Sequence, residues 1–161
     1  MMKNYKEKLH KVNTFIFDFD GVLSDGKMYV MGDGEQVRAT NTKDGYALQY
    51  ALRKGYHVAI ISGGYAESMK LRYKNFPGMD IFLAVKNKIK QFREYLAMHD
   101  LQPENVLVMG DDIPDYQMMV MGCFIEDHGS GLPGKLLQDR LSLLLLCRQE
   151  ALEAESSGRQ T

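Results

Sequence analysis

Four short apolar runs recur along the chain, and each one stops abruptly at polar or glycine residues. They span 12–17, 57–61, 80–85 and 105–109. Because none of them alternates with polar residues, each run is typical of a strand that is buried on both faces of a sheet. The pattern therefore predicts four central strands.

Segments with apolar residues at helical spacing separate these runs. The predicted helices span 44–54, 67–75 and 88–99, and a fourth begins at Pro114. Two β-prone segments, 27–30 and 36–40, flank a glycine-containing turn and predict a hairpin. Apolar strands that alternate with amphipathic helices predict an α/β, Rossmann-like parallel sheet with helices on both faces.

Polar side chains directly follow three of the predicted strands. These side chains are Asp18 and Asp20, then Ser62, then Asp111 and Asp112. In parallel sheets, ligands bind at the carboxyl ends of the strands. Crowded carboxylates repel one another unless a cation lies between them, and Mg²⁺ prefers oxygen ligands. With Lys88 as a second positive charge, the pattern predicts a site for phosphoryl transfer with an aspartate nucleophile.

The composition argues against several other classes of protein. Lys and Arg number 20 against 21 Asp and Glu, so there is no basic excess for binding nucleic acid. HExxH and phosphate-loop motifs are absent, and Cys123 and Cys147 lack the spacing of a zinc site or a disulfide framework. The sequence has no signal-peptide pattern and no membrane-span pattern, so we expect a cytoplasmic protein without a membrane partner.

Four segments resemble, in the family's order, the four motifs of the haloacid dehalogenase-like (HAD) phosphatases. They are FDFDGVLSDG at 17–26, IISGG at 60–64, NKI at 87–89 and VMGDDIPD at 108–115. The resemblance covers roughly residues 12–122. It implies the HAD-like fold, an aspartyl-phosphate intermediate and Mg²⁺ as the cofactor.

The same resemblance implies a role for each candidate residue. Asp18 would be the nucleophile and Asp20 the general acid and base. The implied metal ligands are Asp18, Asp111 and the backbone carbonyl of Asp20, with Asp112 and Asp115 close behind them. The implied phosphoryl-binding residues are Ser62, Gly63 and Lys88, together with Arg72, which is a candidate to replace the arginine that relatives often carry at the position of Tyr65.

A narrower resemblance concerns the segments 26–30 and 41–45, which are similar to the capless branch of this family. Only residues 25–43 separate the first motif from the first helix, too few for a folded cap, so a β-hairpin flap is expected in its place. The branch contains the tetrameric 3-deoxy-D-manno-octulosonate 8-phosphate (KDO 8-phosphate) phosphatases. It therefore implies a homotetramer that hydrolyses KDO 8-phosphate to KDO and phosphate. Two alternatives stay open: a phosphatase for a nine-carbon sugar acid phosphate, and a weakly active oligomerisation domain like those fused to sugar cytidylyltransferases.

The last 37 residues differ in composition from the rest of the chain. All 16 aromatic residues and all 11 Met lie at or before Phe124, whereas nine Leu lie between Leu132 and Leu152. An even distribution would place roughly six of those 27 residues in the tail. We therefore expect a phosphatase core at 1–124 and an atypical Leu-rich tail at 125–161. A shifted reading frame or an unrelated segment would explain this tail, as would a Leu-rich helix packed on the sheet or on another subunit.

Overall fold

The central feature is a parallel sheet of four strands, seen in a computed structural model that describes residues 11–122. In chain order the strands are β1 (Thr14–Phe17), β2 (Tyr29–Val30), β3 (Gln36–Val37), β4 (His57–Ile61), β5 (Met79–Phe82) and β6 (Val106–Met109). The parallel sheet has the order β5-β4-β1-β6, and β2 pairs with β3 in a separate antiparallel hairpin. The predicted central sheet and hairpin are both confirmed.

Within residues 11–122, four α-helices accompany the sheet. They are α1 (Thr42–Arg53), α2 (Glu67–Tyr73), α3 (Lys88–Met98) and α4 (Tyr116–Met121). Side-chain caps define two of the starts, because Asn41 accepts a hydrogen bond from the Lys43 N–H and Asn87 accepts one from the Lys90 N–H. A short 3₁₀ helix at Ile113–Asp115 precedes α4, so Pro114 opens a 3₁₀ turn and not the α-helix itself.

Apolar side chains on the two faces of the sheet form two separate cores. Phe15 and Phe17 of β1 pack in one core, whereas Ile16 packs in the other, because successive side chains point to opposite faces of a strand. The first core includes residues of α1 and α2, such as Leu48. The second includes residues of α3 and α4, such as Phe92. Helices therefore cover both faces, as predicted for this α/β fold.

The β2–β3 hairpin lies between β1 and α1, where the sequence analysis expected a β-hairpin flap. It is shorter than predicted, but a further antiparallel bridge joins Ser24 to Thr40 at its base. Its first strand and flanks expose large apolar side chains, among them Tyr29 and Val30.

The structure corrects the predicted end of one strand. β5 ends at Phe82 and not at Val85, because Ala84 has a left-handed backbone (φ 56°) and the Val85 N–H turns to donate to the Ser62 carbonyl. The predicted tail, 125–161, lies outside the described residues. Within residues 11–122, none of the helices has the length and apolar character needed to cross a membrane.

Candidate active site

The carboxyl ends of three neighbouring strands are in register and bring the predicted polar residues to one edge. Phe17 of β1 pairs with Ile60 of β4 and with Met109 of β6. The Asp18 N–H continues this ladder by donating to the Met109 carbonyl at 2.9 Å. The residues after β1, β4 and β6 therefore face a common space, as the sequence pattern predicted.

A buried lysine lies between two buried carboxylates at the floor of this space. The Lys88 ammonium donates to Asp115 Oδ1 at 2.7 Å and lies 2.9 Å from Asp18 Oδ1. The side chains of these three residues are 7%, 0% and 8% exposed for Lys88, Asp115 and Asp18. Burial alone would lower the pKa of Lys88, but the hydrogen bond to Asp115 and the contact with Asp18 outweigh it and raise the pKa. Lys88 is therefore a fixed positive charge.

Asp111 adds a third carboxylate beside this pair. Carboxylate oxygens of Asp18, Asp111 and Asp115 all lie within 4.8 Å of one another. Burial raises the pKa of Asp18, with Asp115 adding to this effect and Lys88 opposing it. The loss of hydration also raises the pKa of Asp111, and the Asp18 charge raises it further. Asp18, Asp111 and Asp115 thus have the Lys88 ammonium as their shared positive charge. This single charge does not balance the negative charge of three carboxylates.

The donor set fits a hard divalent cation. All three candidate groups offer carboxylate oxygens, which Mg²⁺ prefers, and a second cation would relieve the repulsion that raises the pKa of Asp18 and Asp111. Gly21 makes room for Asp111, because a Cβ at Gly21 would coincide with the Asp111 carboxylate. The positive φ of Gly21 (84°) also favours glycine there.

The loop after β4 supplies neutral hydrogen-bonding groups to the same space. Ser62 is buried, and its Oγ accepts a hydrogen bond from the Gly64 N–H at 3.2 Å, which leaves the hydroxyl proton free to donate. A Cβ at Gly63 would lie 4.0 Å from Lys88 Cε, so this loop runs directly beside the lysine. Ser62, Gly63 and Lys88 are therefore brought together, as predicted for binding a phosphoryl group.

Asp20 lies at the mouth of the site and has a partner that the sequence analysis missed. Its side chain is 37% exposed, against 8% for Asp18. Arg38, which follows β3 of the hairpin, donates from Nε to Asp20 Oδ1 at 2.9 Å and from Nη2 to Asp20 Oδ2 at 3.1 Å. The two residues are 18 positions apart, and no spacing rule connects them.

Two other predicted residues have structural contacts of their own, although Asp112 also lines the same cavity as Ser62 and Lys88. Arg72 donates to Thr40 Oγ1 at 3.2 Å and packs against Gly45 of α1, so its role in binding phosphate stays a prediction. Asp112 caps the 3₁₀ helix by accepting a hydrogen bond from the Ile113 N–H at 2.7 Å. The backbone N–H of Asp112 donates to Asp115 Oδ2 at 3.5 Å, which helps to orient the Asp115 carboxylate.

The residues that follow β1, β4 and β6 line a cavity of about 610 Å³. Among its lining residues are Asp18, Asp20, Ser62, Lys88 and Asp111, together with Lys86. Sequence reasoning missed Lys86, whose signal was its position two residues before Lys88 at the start of α3. It brings an exposed positive charge to the wall of the cavity. A buried carboxylate, a buried ammonium and a rim of polar groups are an arrangement that can bind and transfer a phosphoryl group.

Comparison with curated proteins finds KDO 8-phosphate phosphatases among the relatives. The chain is 36% identical over 112 residues to the KDO 8-phosphate phosphatase KdsC of Salmonella typhi, and 36% identical to that of Escherichia coli K12 over the same length. Each match covers 70% of this chain and 60% of the relative, so the chain spans three fifths of the length of these proteins. The chain matches no family model.

Solved structures show the same fold. A KDO 8-phosphate phosphatase of Moraxella catarrhalis, in complex with magnesium, phosphate and KDO, has a TM-score of 0.83 at 22% identity and covers 96% of this chain and 99% of its own. The enzyme of Yersinia pestis has a TM-score of 0.80 at 24% identity, covering 90% and 86%. The described residues thus have the α/β fold of these structures, with a group of carboxylates at the edge of the sheet. In sequence, the chain resembles the KDO 8-phosphate phosphatases.

Proposed function

We propose that this protein is a Mg²⁺-dependent phosphatase that hydrolyses KDO 8-phosphate to KDO and phosphate. The observation that carries the proposal is the contact of buried Asp18 with buried Lys88, beside Asp111 and Asp115 and at the strand edge. The 36% identity to KdsC proteins supports the choice of substrate. The two strands of the hairpin have only two residues each, so we propose a homotetramer in which neighbouring subunits help to bind the sugar.

Asp18 is the nucleophile in the proposed reaction. A carboxylate oxygen of Asp18 forms a bond to phosphorus while the bond from phosphorus to the sugar oxygen breaks. Asp20 gives its proton to that oxygen, so the sugar leaves as an alcohol. Asp20 then takes a proton from water, whose oxygen attacks the phosphorus of the aspartyl-phosphate and releases phosphate. Asp18 is regenerated as a carboxylate.

The remaining residues bind the transferred group. In the proposed reaction, the Ser62 hydroxyl, the Gly63 N–H and the Lys88 ammonium hold the phosphoryl oxygens, and Lys88 reduces the repulsion between Asp18 and a dianionic substrate. Asp18, Asp111 and the Asp20 backbone carbonyl would hold Mg²⁺, with Asp115 beside them. When bound, Mg²⁺ supplies positive charge that stabilises the negative phosphoryl oxygens.

A substrate panel tests this proposal. Phosphate release is measured for KDO 8-phosphate, a nine-carbon sugar acid phosphate and glucose 6-phosphate, each with Mg²⁺ and with chelator. We expect kcat/KM to be highest for KDO 8-phosphate and activity to vanish in chelator. Equal rates on all three compounds would reject the substrate, and full activity in chelator would reject the role of Mg²⁺. Preference for the nine-carbon compound would favour the first alternative, and no turnover of any compound would favour a weakly active oligomerisation domain.

A further inference from the structure

The contact between Arg38 and Asp20 has no role in the mechanism so far. Both oxygens of the Asp20 carboxylate accept from the guanidinium, at 2.9 and 3.1 Å, in the two-pronged geometry that arginine forms with carboxylates. The Arg38 side chain is only 2% exposed, although it comes from a hairpin whose other residues are mostly exposed. A buried guanidinium pointing inwards from an exposed hairpin indicates a specific function for this contact.

The loop after β4 packs tightly against this ion pair. A Cβ at Gly64 would lie 3.2 Å from Asp20 Oδ2 and 3.3 Å from Arg38 Nη2, so the close fit depends on the missing side chain. Asp20 is among the residues that line the cavity of about 610 Å³, whereas Arg38 is not among them. The side chain through which Arg38 contacts a cavity-lining carboxylate is therefore that of Asp20.

We propose that Arg38 is a positioning residue that holds the Asp20 carboxyl group in the orientation needed for proton transfer to the leaving sugar oxygen. This inference rests on the proposed function. A carboxylate has about four positions that accept hydrogen bonds. The guanidinium uses two of them and the Ser24 hydroxyl, 3.4 Å from Oδ1, uses a third, so a position on Oδ2 stays available for the transferred proton. Without Arg38, the partly exposed Asp20 side chain would rotate among several orientations, and few of them would reach the substrate.

Two substrates with different leaving groups can distinguish the positioning role of Arg38 from a purely structural one. The sugar oxygen of KDO 8-phosphate is a poor leaving group that needs a proton, whereas p-nitrophenolate leaves without one. Loss of Asp20 positioning should therefore slow the first turnover of KDO 8-phosphate much more than that of p-nitrophenyl phosphate. A general loss of structure or of phosphate binding would slow both first turnovers by the same factor.

The experiment measures single-turnover rate constants for both compounds, with protein in excess over substrate. When the protein is also at a saturating concentration, such a rate constant does not depend on the fraction of active protein. We expect Arg38→Met to lower the rate for KDO 8-phosphate at least about tenfold, since general acid catalysis contributes about 10²–10⁴-fold. The rate for p-nitrophenyl phosphate should fall by less than about threefold on the same reasoning. Arg38→Lys, which keeps the charge, should recover part of the loss and serves as the test if the Met variant does not fold.

Arg93→Met is the matched control, because Arg93 is an exposed arginine of α3. It should leave both rates unchanged. Equal losses on both compounds in the Arg38 variants, or no loss on either, would overturn the positioning role while leaving the proposed function in place. If the parent protein turns over neither compound, the proposed function itself is wrong.

Discussion

Replacing Lys88 by methionine tests the electrostatics at the floor of the site. The ammonium lies 2.7 Å from Asp115 Oδ1 and 2.9 Å from Asp18 Oδ1. At an effective dielectric constant of about 20, each contact corresponds to a Coulomb energy of about 6 kcal/mol. Much of this attraction offsets the dehydration of the three groups. Removing one partner of a buried ion pair nevertheless costs about 3–5 kcal/mol, because the other charge stays buried without compensation.

Urea unfolding in the presence of chelator, followed by circular dichroism, measures this loss. Lys90→Met is the matched control, since Lys90 lies in the same helix, its side chain is 73% exposed, and its distance to Glu94 is 3.7 Å. That exposed pair should contribute less than about 0.5 kcal/mol. Added Mg²⁺ should restore part of the stability that Lys88→Met loses. If the free energies of unfolding of the two variants differ by less than about 1 kcal/mol in chelator, Lys88 does not neutralise the buried carboxylates.

Three further predictions concern other parts of the molecule. Gly21→Ala should lower phosphatase activity at least about tenfold and raise the Mg²⁺ concentration for half-maximal activity, because the new Cβ would collide with the Asp111 carboxylate. An unchanged Mg²⁺ dependence would contradict this prediction. Phe92→Ala should lower the free energy of unfolding by about 3–5 kcal/mol, since Phe92 is fully buried, whereas Met98→Ala in the same helix, 63% exposed, should cost less than about 0.5 kcal/mol. Lys86→Ala should raise KM for the sugar phosphate and leave kcat unchanged, and a fall in kcat alone would place Lys86 in the chemical step.

The parts of the site that follow from the sequence are those fixed by the ends of strands. Asp18 and Ser62 come directly after an apolar run, and Asp111 comes one residue after another such run. Parallel pairing of those runs brings the three positions to one edge. The start of α3 can also be predicted from adjacent residues, because Asn87 caps the helix and Lys88 is the next residue. These features need only the strand pattern and a capping residue.

Contacts between distant segments could not be predicted in this way. Arg38 reaches Asp20 because the hairpin folds back over the site, and hydrophobic periodicity carries no information on that path. Arg72 was predicted near the phosphate from its position after the second motif, but the structure turns its guanidinium towards Thr40. The left-handed backbone at Ala84, which ends β5 early, has no local signal, because alanine rarely adopts it.

Chemical trapping at Asp18 tests the central claim most directly. The protein is mixed with KDO 8-phosphate and Mg²⁺, quenched in acid during turnover and reduced with borohydride, which converts an aspartyl-phosphate to homoserine. Peptide mass spectrometry should then find homoserine at position 18 in the parent protein and not in Asp18→Asn, which should also lose turnover while keeping its fold. Turnover without homoserine at position 18, or an Asp18→Asn variant within about tenfold of the parent rate (about 1.4 kcal/mol), would contradict the assignment of Asp18 as the nucleophile.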